Sequence, residues 1–183
     1  TGTLDAAEYN TGVGLAALDA ITTGDNNTSL GNNSLSANTT GSDNVALGYN
    51  ALAANTTKGQ NIAIGRNALA VQTDGGEFNV AVGAYSLDEN TLGDKNVALG
   101  YVALGKNTEA SYNTGIGTES LKLTTTGANN TALGNAAGDV ISTGSQNVLL
   151  GASTDPSAND GTNQTVVGYN ATGLANNSVT LGN

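Results

Sequence analysis

The chain has 183 residues, 38% of them apolar and only 11% charged, with a net charge of −10, one proline, 26 glycines, 26 asparagines and no cysteine, histidine, methionine or tryptophan. This is neither a disordered acidic tail nor an ordinary globular composition, and it excludes disulfides, thiolate zinc sites and Ser-His-Asp or Cys-His catalysis. Five basic residues against fifteen acidic ones exclude a nucleic-acid partner, which needs clustered Lys and Arg, and no stretch is long and apolar enough to insert in a membrane.

In chain order, an imperfect partial rung from Thr1 to Tyr9 leads into a repeat whose clearest copy is Asn44-Val45-Ala46-Leu47-Gly48. Its closing glycines are Gly14, Gly31, Gly48, Gly65, Gly83, Gly100, Gly117, Gly134, Gly151, Gly168 and Gly182. The gaps between them are 17 residues, except one of 18 (Gly65 to Gly83) and a last one of 14. A fixed short period is the signature of a solenoid. The eighteen-residue gap holds Gly75-Gly76, where one residue inserted in a turn is expected.

Each column of the repeat has a chemistry. The residue before the glycine is always aliphatic (Leu47, Ile64, Val82, Leu99, Ile116) and the one two earlier is always β-branched (Val45, Ile62, Val80, Val97, Thr114), which is strand spacing. Between them stands a small residue, usually alanine. We expect the aliphatic pair to form a buried seam, with Leu99 stacked between Val82 and Ile116. The alanine column would then be a flat outer face open to another backbone. Four residues after the glycine comes a leucine column (Leu18, Leu35, Leu52, Leu69, Leu87, Leu104, Leu121), so each rung reads as two short strands. Threonines eight after the glycine, such as Thr39 and Thr108, are placed to close a turn through their hydroxyls. The asparagines that open each strand, Asn10 to Asn147, are suited to a ladder of amides bonded from rung to rung.

Beyond Gly134 the leucine column fails, with Gly138, Asp155 and Thr172 in its place, while Leu149 and Val166 enter the small column. The cross-section is expected to change near residues 135–165, helped by the turn-favouring Asp155-Pro156 pair. No linker or domain boundary divides residues 1–183. The chain is therefore read as a single all-β domain, a parallel β-roll or β-solenoid of about ten 17-residue rungs. It starts within the repeat, so a mature or excised segment is expected.

A 17-residue rung has few inward side chains, so the roll is thin for the surface it supports. That points to self-association, most simply as a homotrimer about the fibre axis, able to extend into a longer fibre.

The stretch Gly168-Tyr169-Asn170-Ala171-Thr172-Gly173-Leu174-Ala175-Asn176-Asn177-Ser178-Val179-Thr180-Leu181-Gly182 resembles the fourteen-residue repeat of trimeric autotransporter adhesin heads. The longer repeats, such as Gly48-Tyr49-Asn50-Ala51-Leu52-Ala53-Ala54-Asn55-Thr56-Thr57, resemble the seventeen-residue rolls of phage tail fibres and large surface proteins. The resemblance covers essentially the whole chain and implies a left-handed, homotrimeric roll. It also implies a structural role without catalysis, outside the cell: a shaft or adhesive head of a virion tail fibre or bacterial surface appendage, mediating attachment. The alternative is a carbohydrate-binding module on a solenoid scaffold.

Candidate sites are few. Tyr49, Tyr101 and Tyr169 each follow a repeat glycine, while Tyr9, Phe78 and Tyr112 stand five before one. Aromatic faces on a rigid polar surface suit a cell-surface glycan, and Tyr49, Tyr101 and Tyr169 are the candidate contacts. The pairs Asp88 with Glu89 and Asp74 with Glu77 would be the only carboxylates for glycoside hydrolysis, and both read better as solubilising turn charges. Asp25, Asp43, Asp74, Asp94 and Asp160 fall at differing offsets, unlike a stacked calcium repeat. Thr1-Gly2-Thr3 and Thr124 to Thr126 only approximate the Thr-x-Thr array of an ice-binding face. No catalytic, metal or cofactor residues are assigned.

Overall fold

The repeat glycine dictates how the rungs stack. In the computed structural model, which describes residues 7–73 and 75–182, Gly100 has φ +142°, a conformation closed to side chains. A Cβ there would also overlap the carbonyl oxygen of Gly117 on the next rung. Both constraints recur from Gly14 to Gly151, so successive backbones touch at each of these turns.

Each rung contributes one three-residue strand, from β1 (Thr11–Val13) and β2 (Thr28–Leu30) through β6 (Val97–Leu99) and β7 (Thr114–Ile116) to β11 (Val179–Leu181). The strands form a single parallel sheet of eleven, in sequence order. Register follows the repeat, with Val82, Leu99 and Ile116 stacked across β5 (Val80–Val82), β6 and β7. The chain is thus an all-β parallel solenoid with 17-residue spacing. At an interstrand spacing of roughly 4.8 Å, eleven rungs make a rod on the order of 50 Å long.

The second strand expected in each rung is absent among the described residues; the leucine column lies in turns instead. Leu35, Leu52, Leu69, Leu87, Leu104 and Leu121 all have φ near +50° and no exposed surface. Left-handed backbone costs an L-residue about 1–2 kcal/mol. Burying a leucine returns about 1.5–3 kcal/mol, and each amide bonds across to the next rung, as Leu104 N–H does to Ser120 O at 2.9 Å. Two residues before the leucines the backbone is left-handed again, at Asn33, Asn50 and Asn67 but also at Val102 (φ +56°). Valine is poorly suited to that conformation. Val102→Asn, which restores the column's own residue, should stabilise the chain by about 1 kcal/mol, read as a higher Tm.

The expected inside and outside of the strand are reversed. Ala46, Ala63, Ala81, Ala98 and Ala132 are fully buried, and the flanking aliphatics face outward, with Leu99 36% and Leu133 50% exposed. The reason is volume. The leucine column fills the narrow interior from the opposite wall, so only a small side chain fits beneath the strand. Beyond Gly134 the same rule holds: where Gly138 replaces leucine, Leu149 and Ile141 fill the space, both fully enclosed. A Cβ on Gly138 would sit 2.6 Å from Leu149 Cδ1 and 2.9 Å from Leu121 Cδ2.

Two amide ladders lock the turns. The expected one runs through Asn27, Asn44, Asn61, Asn79, Asn96, Asn113, Asn130 and Asn147, all fully buried. Each Oδ1 accepts the backbone N–H of the next member, as Asn79 Oδ1 does from Asn96 N–H at 2.9 Å. A second, interrupted ladder, unforeseen in the sequence, joins Asn55 Nδ2 to Asn38 Oδ1 at 3.1 Å and, beyond a break between Asn55 and Gln72, Asn90 Nδ2 to Gln72 Oε1 at 3.5 Å and Asn107 Nδ2 to Asn90 Oδ1 at 2.6 Å, all five side chains being fully buried. Its one glutamine sits in the eighteen-residue rung, where the longer side chain reaches Gly76 O at 2.6 Å, the carbonyl that Asn61 Nδ2 also bonds. The insertion therefore lies between Gln72 and Gly76, as the glycine pair suggested, and leaves the strand register intact. The threonine hydroxyls close onto the following rung rather than their own turn, Thr91 to Thr108 O at 3.0 Å for example.

Candidate functional site

With alanine inside most rungs, the strand face presents two columns outward along the rod, one aliphatic throughout and one of valine, isoleucine and threonine. Exposed members include Leu30, Ile62, Ile64, Leu99, Leu133, Leu150, Val179 and Leu181. The positions just beyond the two ends of each strand form the margins of this face, and the aromatic residues concentrate there.

On one margin, Tyr49, Arg66, Tyr85 and Tyr101 come from four successive rungs. The Arg66 guanidinium carbon lies 5.6 Å from the Tyr49 ring centroid and 5.9 Å from that of Tyr85. Tyr85 meets Tyr101 edge-to-face, centroids 6.2 Å apart at 87°. Of the candidate glycan contacts, Tyr49 and Tyr101 are therefore joined in one strip, both about half-exposed. Tyr169, the third, is 76% exposed and stands four rungs beyond Tyr101 in the same column, outside the strip. Sequence reasoning missed Tyr85 and Arg66: tyrosine stands two after its glycine rather than one, and arginine was not weighed beside the aromatics. On the other margin, Lys95 Nζ lies 5.9 Å from the Phe78 ring and 5.0 Å from that of Tyr112, and donates to Tyr112 Oη at 3.2 Å. Tyr9 occupies the same column, 81% exposed.

The carboxylates are committed elsewhere. Glu89 pairs with Lys106, and Glu77 with Lys58 at 3.6 Å. Asp74 lies outside the described residues, as do Thr1, Gly2 and Thr3. Asp25 and Asp94 accept backbone N–H groups from the preceding rung, at Glu8 (2.7 Å) and Glu77 (2.8 Å). No group of three metal-ligating side chains occurs among the described residues. Thr125, the middle of the Thr124 to Thr126 run, donates its hydroxyl to Ser142 O at 3.2 Å.

Three aspartates are held in unfavourable surroundings. Burial, with adjacent Glu89, pushes Asp88 up to about 6 against the pull of Lys106. Burial and then Asp139 push Asp155 up to about 6, and Asp139 is raised by its own burial and by Glu119. A raised folded-state pKa means the folded chain holds protons that the unfolded chain has lost. This contribution is full below about pH 3.8 and disappears as pH rises through about 6. Tm should therefore fall from pH 4 to pH 7.5 at fixed protein concentration. Asp88→Asn with Asp155→Asn should flatten that slope and raise Tm at pH 7.5; an unchanged slope would contradict this.

The geometry defines a class, the parallel β-solenoid with an aliphatic sheet face and aromatic margins. Comparison of the chain with protein-family models, curated proteins and solved structures finds no match.

Proposed function

We propose that the chain is a non-catalytic segment of a homotrimeric extracellular fibre, the shaft or adhesive head of a virion tail fibre or bacterial surface appendage. The observation that carries this reading is the outward aliphatic face. At three residues wide and about 50 Å long it spans on the order of 500 Å², the size of patch that marks an interaction site on a monomer. A second copy of the same rod matches it in length, rung spacing and chemistry.

Three copies suit it better than two. Each rung offers two outward columns side by side, one of valine, isoleucine or threonine and one of leucine, isoleucine or valine. Around a threefold axis one column faces one neighbour and the second column the other, a closed heterologous ring with identical environments. The resemblance to adhesin heads and tail fibres supports the same arrangement. Carbohydrate binding, the runner-up, is favoured by the aromatic strip and is compatible with the fibre.

Light scattering coupled to size exclusion tests the assembly. The expected mass is three times the 18.0 kDa chain. A single-chain mass at micromolar concentration overturns the reading.

A further inference from the structure

Arg66 is treated unlike the other four basic side chains. Lys58, Lys106 and Lys122 each pair with a glutamate, and Lys95 donates to the Tyr112 hydroxyl. Arg66 has no carboxylate within ion-pair distance among the described residues, although the chain carries fifteen. It is exposed, and its contacts are the Tyr49 and Tyr85 rings on the neighbouring rungs. A guanidinium is always charged and carries five donors in a rigid fork. Here its guanidinium lies near two tyrosine rings, its N–H groups have no anionic partner among the described residues, and its backbone is held by the stacked rungs beneath.

We propose that Tyr49, Arg66, Tyr85 and Tyr101 form a binding site for an acidic saccharide, a short chain containing a carboxylate-bearing sugar. Arg66 takes the carboxylate through paired N–H···O bonds, which are stronger and more directional than neutral ones. Tyr49 and Tyr101, each about half-exposed, offer their rings to the flanking sugars, with their hydroxyls as hydrogen-bonding partners. Three rung spacings, about 14 Å, separate the outer tyrosines, the reach of a short oligosaccharide. The net charge of −10 disfavours extended polyanions and leaves one carboxylate at one fixed cation as the mode of recognition. The site deepens the adhesive reading and rests on it only for its biological use; the chemistry requires the strip to lie outside the contact between copies.

The test is calorimetric titration of the assembled protein with trigalacturonate and with sialyllactose, against the trigalacturonate methyl ester and lactose as neutral counterparts. Binding of either acid at least about tenfold more tightly than its neutral counterpart is expected, and the two acids separate uronic from sialic recognition. Arg66→Gln should abolish that preference with circular dichroism and assembled mass unchanged. Arg66→Lys should restore it in part, and Tyr101→Ala should weaken acid and neutral probes alike. Equal binding of acid and neutral probes, or a preference that survives Arg66→Gln, overturns the proposal. So does a change of mass in Arg66→Gln, which would assign the strip to the contact between copies. Acid-selective binding by a single-chain species would support the site while refuting the trimer.

Discussion

Leu99→Asp is expected to split the assembly into folded single chains, whereas Leu104→Asp should abolish folding. The two leucines lie five residues apart in one rung and differ in what surrounds them. Leu104 is fully enclosed, with Ser120 O bonded to its amide and Leu87 and Leu121 in the same column on the neighbouring rungs. A carboxylate there has no partner, and the loss of the side chain alone costs about 2–5 kcal/mol, before the charge is counted. Against a total stability of about 5–15 kcal/mol, and with each rung resting on the next, that is enough to melt the rod. Leu99 is 36% exposed on the outward face. Aspartate there stays in water in a single chain and costs the rung little. In a trimer it places three charges against apolar columns at the axis, a cost of several kcal/mol. Circular dichroism with mass measurement separates the outcomes: helix-free spectrum retained at one-third mass for Leu99→Asp, and no folded signal for Leu104→Asp. If both variants unfold, or if Leu99→Asp keeps the assembled mass, the outward face is not where the copies meet. Tyr101→Ala, on the margin, should leave folding and mass nearly intact.

Much of this was legible in the sequence because the repeat averages out local noise. One glycine with φ +142° proves little, but ten between φ +134° and +146°, nearly all 17 residues apart, specify a stacked backbone. The Asn10 to Asn147 column gave the first amide ladder for the same reason. What was not legible was which face of the strand looks inward. Alternation in a three-residue strand says only that Val97 and Leu99 share a side, and bulk suggests that side is the core. The deciding fact is tertiary: Leu104 already occupies the interior beneath the small column, its Cγ 3.4 Å from where a Cβ on Gly115 would sit. The compensating pair Gly138 and Leu149 carried that information, since one column shrinks as the other grows only if both line the same cavity. The leucine column misled as a strand because leucine at φ near +50° runs against its own propensity, and burial overrides that preference only after the rungs have stacked. The second ladder was hidden by its breaks, with Gln72 in one rung and Thr124 and Ile141 in later ones. The aromatic strip was half visible: Tyr49 and Tyr101 share a column, but Arg66 and Tyr85 complete it only in three dimensions.

The amide ladder makes an expectation with an internal control. Asn96 donates its backbone N–H to Asn79 Oδ1 at 2.9 Å and its Nδ2 to Asn79 Oδ1 at 3.2 Å and Ala110 O at 2.9 Å. Its own Oδ1 accepts Asn113 N–H at 2.9 Å. Asn96→Leu keeps the approximate shape but removes the acceptor, leaving the Asn113 amide buried without its partner. The loss is roughly 1–3 kcal/mol. Asn96→Asp keeps that acceptor and substitutes a second oxygen where Nδ2 stood, facing Asn79 Oδ1 and Ala110 O. Ionised, this carboxylate is fully enclosed and opposed by two acceptors, so its folded-state pKa must rise and its destabilisation at neutral pH should exceed that of leucine. Protonated, it donates O–H to the Ala110 carbonyl and recovers most of the native pattern. The sign is thus fixed: the penalty of Asn96→Asp shrinks as pH falls below the raised pKa of the new carboxyl, while that of Asn96→Leu stays level. Melting curves of both variants, each referred to the native chain at the same pH, should cross between pH 7.5 and pH 4. If Asn96→Asp remains the worse variant at pH 4, or the better one at pH 7.5, then Asn96 does not hold the donor and acceptor roles that the ladder requires.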